Sequence, residues 1–280
     1  MNIIGTGLSG LVGSRVVELL GSRHTFEDLS LDTGVDITNP STVEERIKKS
    51  DAQWVFHFAA KTDVDGAEKE RSLGENSPTW IVNVTATENI VSICRDSGKR
   101  LLYISTDYVF DGTKEEYRED DAANPQGFYA LTKYEGEKRV SEDSLIIRIA
   151  NPYKKAGDRP DFVHKILDRL SAGQRLEAPS DQLFIPTLID DIAFAIEKLV
   201  EANVSGIYHV VGTQALSPFD AAIKIAEVFG LDRALVGKTT FETYFAGRAL
   251  RPRRAVLKND KIDKLGISMH SFDEGLKLLV

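Results

Sequence analysis

Apolar positions along the chain fall into two alternating rhythms. Continuous runs at Met1-Asn-Ile-Ile4, Gln53-Trp-Val-Phe-His-Phe58 and Leu101-Leu-Tyr-Ile104 read as strands buried on both faces, and His24 to about Leu31 as a further strand. Between them lie helical spacings: one after the first strand, one from near Ser41, one from about Pro78 to Ser97 and one carrying Tyr129 and Lys133. Ser41, followed three residues later by Glu44, is expected to form a capping box. Asp63-Val-Asp65-Gly-Ala-Glu68 and Lys114 to Asp121 read as polar loops. The alternation persists to residue 149 and predicts an α/β fold, a doubly wound parallel sheet with right-handed crossovers over residues 1–150. Beyond Asn151 it loosens. A helix near Asp161 to Ala172, a polar loop Ala178 to Gln182, a helix ending about Glu201, a strand Gly206 to Val211, a helix opened by Ser217-Pro218 and a last helix around Phe272 are expected. Residues 151–280 are read as a smaller, partly interleaved substrate-binding lid, with a helix over 187–202 packing on the first domain.

Ligands of a doubly wound sheet collect at the carboxyl ends of its strands. Gly5-Thr-Gly7-Leu-Ser-Gly10-Leu-Val-Gly13 occupies the first such end and makes the sheet Rossmann-like. Backbone N–H groups in such a turn can approach a pyrophosphate, and the positive end of the following helix stabilises the anion. Gly7, Ser9, Gly10, Leu11 and Gly13 are the candidate cofactor contacts there. Near the end of the second strand a carboxylate would accept ribose hydroxyls of NAD, whereas a cation would suit NADP. Asp28, Ser30 and Asp32 all lie in range, so NADP(H) and NAD(H) both remain open. Asp36, with Ile37, is placed either to meet the adenine edge or to serve as a turn residue. Ala59, Ala60 and Lys61 follow the third strand, where small residues let backbone approach a cofactor. His57, inside that strand, reads as a satisfied core histidine.

Thr106 lies at the carboxyl end of a further strand, and Tyr129 and Lys133 stand four apart on a helix, hence on one face. An ammonium beneath a phenol favours its ionised form, which is how a group of reference pKa about 10 can work as an acid or base near neutrality. With a hydroxyl such as Thr106 on the same substrate oxygen, the three suit hydride transfer at a carbonyl or alcohol.

Composition narrows the partners. Hydrophobic residues make up 42% of the 280 and charged ones 28%, as in ordinary globular proteins, while a formal charge of -8 argues against a nucleic-acid surface. The Arg248 to Arg254 cluster is sized for a diphosphate rather than a duplex. Cys94, the only cysteine, shares a helical face with Val84, Thr87 and Val91 and reads as core; no thiolate metal site and no other metal-ligand cluster is expected. No signal peptide or long apolar segment is read, so no membrane partner and a cytoplasmic location are expected.

Thr6-Gly-Leu-Ser-Gly-Leu-Val-Gly13, Asn83-Val-Thr-Ala-Thr-Glu-Asn89, Ser105-Thr-Asp-Tyr-Val-Phe-Asp-Gly112 and Tyr129-x-x-x-Lys133 together resemble the extended short-chain dehydrogenase/reductases. Ala59-Ala60-Lys61-Thr62-Asp-Val-Asp65-Gly-Ala-Glu68, Tyr117-Arg-Glu-Asp120 and Arg251-Pro252 look like the dTDP-4-dehydrorhamnose reductase family within them. The resemblance covers nearly the whole chain and is thinner beyond 150. It implies that Thr106, Tyr129 and Lys133 are the catalytic triad and Asn83 its supporting asparagine. It implies NAD(P)H-dependent reduction of a 4-keto-6-deoxy sugar nucleotide, with Asp107, Tyr108 and Asn151 facing the sugar and Arg251 the diphosphate; a homodimer is left open. The family's Arg-Thr-Ser-Trp-x-Tyr-Gly is replaced here by Arg148-Ile-Ala-Asn-Pro-Tyr-Lys154, which changes a wall of the substrate pocket. Two other readings stay beside it. The non-catalytic β subunit of methionine adenosyltransferase looks like the same branch, and a sugar-nucleotide epimerase would hold NAD through a closed redox cycle.

Overall fold

In the computed structural model, which describes residues 1–155 and 160–280, six parallel strands form one sheet in the order β2-β1-β3-β4-β5-β9. These are β1 (Asn2–Thr6), β2 (Thr25–Leu29), β3 (Trp54–His57), β4 (Arg100–Thr106), β5 (Leu145–Ile149) and β9 (Gly206–His209). Because side chains alternate across a strand, Ile3 faces one side of the sheet and Ile4 the other. On the first side Ile3, Phe56, Leu102 and Ile147 pack under α1 (Leu11–Leu20) and α8 (Ile189–Glu201). On the second, Ile4, Val55 and Leu101 pack under α2 (Pro40–Lys49) and α5 (Ala86–Ser97), with Cys94 buried among them. The chain runs from β1 outward to β2 and then returns to the far side of β1 for β3, so the crevice at this reversal opens above the carboxyl ends of β1 and β3.

Several expected elements differ in detail. The strand expected from His24 to Leu31 is the shorter β2. Helix α2 is capped not by Ser41 but by Asn39, whose side chain accepts Ser41 N–H at 3.1 Å, with Pro40 at the first helical position. An Asn-Pro pair supplies both the cap and a preset φ, so the helix starts before Ser41. The polar stretch from Asp63 is α3 (Val64–Glu70), begun by Asp63 accepting Gly66 N–H at 2.9 Å. The long helix of 78–97 is interrupted: α4 (Pro78–Trp80) passes through a π-helical segment, Ile81–Thr85, before α5. Helix α6 (Phe128–Arg139) carries the tyrosine and lysine. The acidic loop before it is pinned by Tyr117, which is buried, stacks on Phe110 at 4.2 Å and bridges to Leu257.

After β5 the chain builds a smaller lobe and twice returns to the sheet. The paired strands β6 (Pro152–Tyr153) and β8 (Thr187–Leu188) bracket α7 (Phe162–Ser171) and β7 (Leu176–Pro179), the last taking the first residues of the expected loop at Ala178. Helix α8 then packs on α1, and β9 forms the sixth strand of the sheet. Helix α9 (Pro218–Val228), capped by Ser217, and β10 (Val236–Thr239), paired with β7, complete the small lobe with α10 (Phe241–Tyr244). The terminal α11 (Asp260–Lys264) lies near β9, and α12 (Phe272–Lys277) near α9.

Candidate active site

The glycine turn joins β1 to α1 with little room to spare. Gly7 has φ of 67°, and a Cβ there would stand 2.5 Å from the backbone nitrogen of Ala59; one on Gly13 would stand 2.3 Å from the Gly7 carbonyl oxygen. Gly10 differs. It caps α1 in extended backbone, and its nearest obstacle, the Gly7 oxygen, would lie 3.0 Å from a Cβ. Gly7 and Gly13 are thus required by packing, while Gly10 contributes to an open cradle at the helix N-terminus. That cradle fits the pyrophosphate of a dinucleotide.

A cavity of about 730 Å³ extends from this turn, lined by Gly7, Ser9, Gly10, Leu11, Gly13, Asp36, Ile37, Ala59 and Ala60, and by Thr106, Tyr129 and Lys133 at its inner end. Sequence reasoning left out Val12, Phe58, Thr62, Val82, Ile149 and Pro152, which also line it. Of the three candidates after β2, Ser30 alone reaches the wall; its hydroxyl donates to Asp28 at 2.6 Å. Asp36 lines the cavity and also accepts Thr38 N–H at 2.9 Å, as a turn residue does. Lys61 does not line the cavity: its ammonium pairs with Glu70 at 2.8 Å. Asn83 is not at the cavity wall either. It sits on the π segment, fully buried, accepting Lys61 N–H at 2.8 Å and donating to the Lys61 carbonyl and to Thr132 on α6. Its amide therefore braces the strand end against α6 rather than lining the cavity. His57 is a core residue, bonded to Thr6 and Thr87, and burial lowers its pKa to about 3.

Five residues, Thr106, Asp107, Tyr108, Tyr129 and Lys133, converge where β4 ends. Thr106 accepts Tyr108 N–H at 3.2 Å and donates to Asp107 at 3.0 Å. The Tyr108 and Tyr129 rings meet edge to face at 6.1 Å. Lys133 donates to the Ile104 carbonyl at 2.7 Å and lies 4.1 Å over the Tyr103 ring. Burial lowers its pKa to about 7, with Glu137 opposing the shift. Tyr129 departs from expectation: burial first, then the Asp107 charge, raise its pKa well above the usual phenol range. The phenol is kept protonated, ready to give a proton rather than to take one.

A second cavity of about 590 Å³ shares Asp107 and Asn151 with the first and runs into the small lobe. Asn151 adopts φ of 42°, a conformation asparagine tolerates better than most residues. Tyr108, Phe162, Phe184, Tyr244 and Phe245 supply aromatic walls, and Lys165, Arg169, Arg175 and Arg248 supply cations. Arg251 is not among the lining residues, contrary to its expected place on the diphosphate. Its guanidinium is locked on Asp65 at 2.9 Å and on the Ala249 carbonyl at 2.7 Å. Two acidic residues of α3 thereby acquire structural roles: Asp65 holds the 249–251 segment, and Glu68 accepts Phe128 N–H at 2.9 Å at the start of α6. Of the altered segment after β5, Arg148 forms a buried bidentate pair with Glu137 on α6, and Lys154 is buried with its ammonium 3.5 Å from Ser14. Of that segment, Ile149, Asn151 and Pro152 face the cavities.

Known proteins match this arrangement. The profile of the RmlD substrate binding domain matches residues 1–280. A probable low-salt glycan biosynthesis reductase of Haloferax volcanii is 34% identical over 98% of this chain and 95% of its own. The methionine adenosyltransferase 2 subunit beta of Xenopus laevis is 28% identical over 95% of this chain and 83% of its own. The crystal structure of dTDP-4-dehydrorhamnose reductase from Bacillus anthracis in complex with NADP superposes with a TM-score of 0.90 at 30% identity, covering 99% of this chain and 98% of that one. With a glycine cradle, a Thr106-Tyr129-Lys133 cluster and this relationship over its full length, the chain belongs to the RmlD substrate binding domain family and is an NAD(P)H-dependent sugar-nucleotide oxidoreductase of the extended short-chain dehydrogenase/reductase type.

Proposed function

We propose that this protein reduces the 4-keto group of a nucleotide-activated 6-deoxy sugar. The observation that carries the reading is the meeting of two cavities at Asp107 and Asn151, one lined by the glycine turn, the other by aromatic and cationic side chains. A reduced dinucleotide held at the glycine turn would supply the hydride for the carbonyl carbon. Tyr129, held neutral by its surroundings, gives its proton to the carbonyl oxygen as charge develops there. Thr106 shares that oxygen, and Lys133 steadies the phenolate left behind. Asp107, Tyr108 and Asn151 face the sugar. Lys165, Arg169, Arg175 and Arg248 meet the diphosphate, since charge-assisted bonds to phosphate oxygens suit cations at the mouth of a cavity.

The similarity to the methionine adenosyltransferase subunit supports a second reading, a dinucleotide-binding regulator without turnover. A panel of 4-keto-6-deoxy sugar nucleotides mixed with NADH or NADPH separates the two through loss of absorbance of the reduced cofactor. Consumption with at least one member supports the reductase. No consumption across the panel, with cofactor binding intact, supports the regulator.

A further inference from the structure

Asp107 opens the turn after β4, is 2% exposed, and lines both cavities. Its Oδ1 accepts the Thr106 hydroxyl at 3.0 Å, while Oδ2 is buried without any hydrogen-bond partner among the described residues. No cation is paired with it there. The groups facing it are the Thr106 hydroxyl, the Tyr108 phenol and the Tyr129 phenol from α6, with the Arg251–Asp65 pair beyond Tyr108. Lys133, further along α6, is held on the Ile104 carbonyl. A carboxylate with an empty lone-pair side in such surroundings is costly, whereas the neutral acid needs only one acceptor.

We propose that Asp107 acts as a neutral carboxylic acid that positions Thr106, turning the threonine hydroxyl into a donor toward the oxygen being reduced. A hydroxyl has one proton and two lone pairs. When Asp107 is ionised, the Thr106 proton is committed to Oδ1 and one lone pair to Tyr108 N–H, so Thr106 has nothing to donate to a carbonyl. When Asp107 is protonated, its O–H donates to Thr106, Tyr108 N–H fills the other lone pair, and the Thr106 proton is free to point at the substrate oxygen. Two donors, Thr106 and Tyr129, then converge on the oxygen that gains negative charge. The proton balance is closed. The hydride comes from the reduced dinucleotide, the transferred proton from Tyr129, and Asp107 keeps its own proton throughout. Burial, the largest influence on the group, pushes its pKa up to about 7.

The inference rests on the reductase reading, and two measurements keep their failures apart. The first is the pH profile of kcat/KM for keto-sugar reduction in wild type and Asp107→Asn. Asparagine offers a fixed N–H donor in place of the protonated acid, so the variant's rate falls below wild type at pH 6 but loses one proton's worth of steepness on the alkaline side. For each such proton the wild type loses about tenfold per pH unit above the apparent pKa. Lys133 titrates in the same region and leaves its own limb in both proteins. An alkaline limb of unchanged position and steepness in Asp107→Asn overturns the proposal. The second measurement needs neither turnover nor a variant. In wild type labelled at aspartate carboxyl carbons, ¹³C NMR is expected to show the Asp107 resonance titrating near neutrality. If every aspartate titrates below pH 5, Asp107 is ionised at neutrality and the proposal fails, whatever the substrate panel shows.

Discussion

Tyr129 shows how a site can be legible in composition and still be misread in its electrostatics. The spacing of Tyr129 and Lys133 on one helical face was evident from the chain, and so was the neighbouring Thr106. What spacing does not carry is burial: the phenol and ammonium are both enclosed, so the first is pushed toward the neutral acid and the second down to about 7. The same limit applied to Arg251, whose place in an Arg-Pro pair gave no sign of the Asp65 partner that locks it away from the cavity. At the glycine turn, Gly10→Val is expected to abolish dinucleotide binding in titration calorimetry while the protein stays folded, because Gly10 has extended backbone and only one close neighbour. Affinity equal to wild type would remove the turn from the cofactor site. Asp107 offers a stability test as well. Its folded pKa of about 7 exceeds the reference 3.8, so the native state retains a proton that the unfolded chain releases, and stability falls as pH rises through that window. Asp107→Asn lacks this loss. Urea unfolding should therefore show the variant gaining on wild type between pH 4 and 7 and holding its advantage above; a constant difference at all pH values would contradict the raised pKa.

Elements were foreseen best where a continuous apolar run marks them, which is why β3 and β4 fall where expected. Helix α3 escaped because its residues, Val64-Asp-Gly-Ala-Glu-Lys-Glu70, carry almost no apolar stripe; tertiary bonds from Asp65 and Glu68 hold it instead. The π segment at Ile81–Thr85 is likewise invisible to a 3.6-residue period, yet it is what turns Asn83 toward the Lys61 backbone. Helix α6 has a further tether that only the fold reveals. The Glu137 carboxylate holds Arg148 of β5 at 2.9 and 2.7 Å with both side chains buried. Breaking one side of such a pair leaves an uncompensated buried charge, so Glu137→Gln is expected to lower stability by about 3–5 kcal/mol in urea unfolding. Converting both residues to apolar ones of similar size, Glu137→Leu with Arg148→Met, should recover most of it. A single variant within about 0.5 kcal/mol of wild type would show that the pair does not hold α6 to the sheet.

At the scale of the molecule, the doubly wound sheet was readable because strands and helices alternate locally, whereas the second cavity was not, because its walls come from α7, β7, α10 and the 248–255 segment, far apart in sequence. The return of β9 to the sheet edge is a non-local pairing of the same kind. The cations that line the second cavity replace Arg251 in the account. Arg175→Ala or Arg248→Ala is expected to weaken sugar-nucleotide binding by about 1.5 kcal/mol, the low end for bonds to charged groups, since both are exposed to solvent. Titration with the product nucleotide sugar checks this, and unaltered affinity in both variants would move the diphosphate elsewhere. The central claim is that Tyr129 protonates a keto oxygen poised between a dinucleotide cleft and a sugar-nucleotide cleft. Single-turnover oxidation of the reduced cofactor, at saturating 4-keto-6-deoxy sugar nucleotide, tests it most directly in wild type and Tyr129→Phe. The rate is expected to be lower by about 10² to 10⁴ in Tyr129→Phe, the usual contribution of a general acid, with cofactor affinity little changed. Equal rates in the two proteins would contradict it.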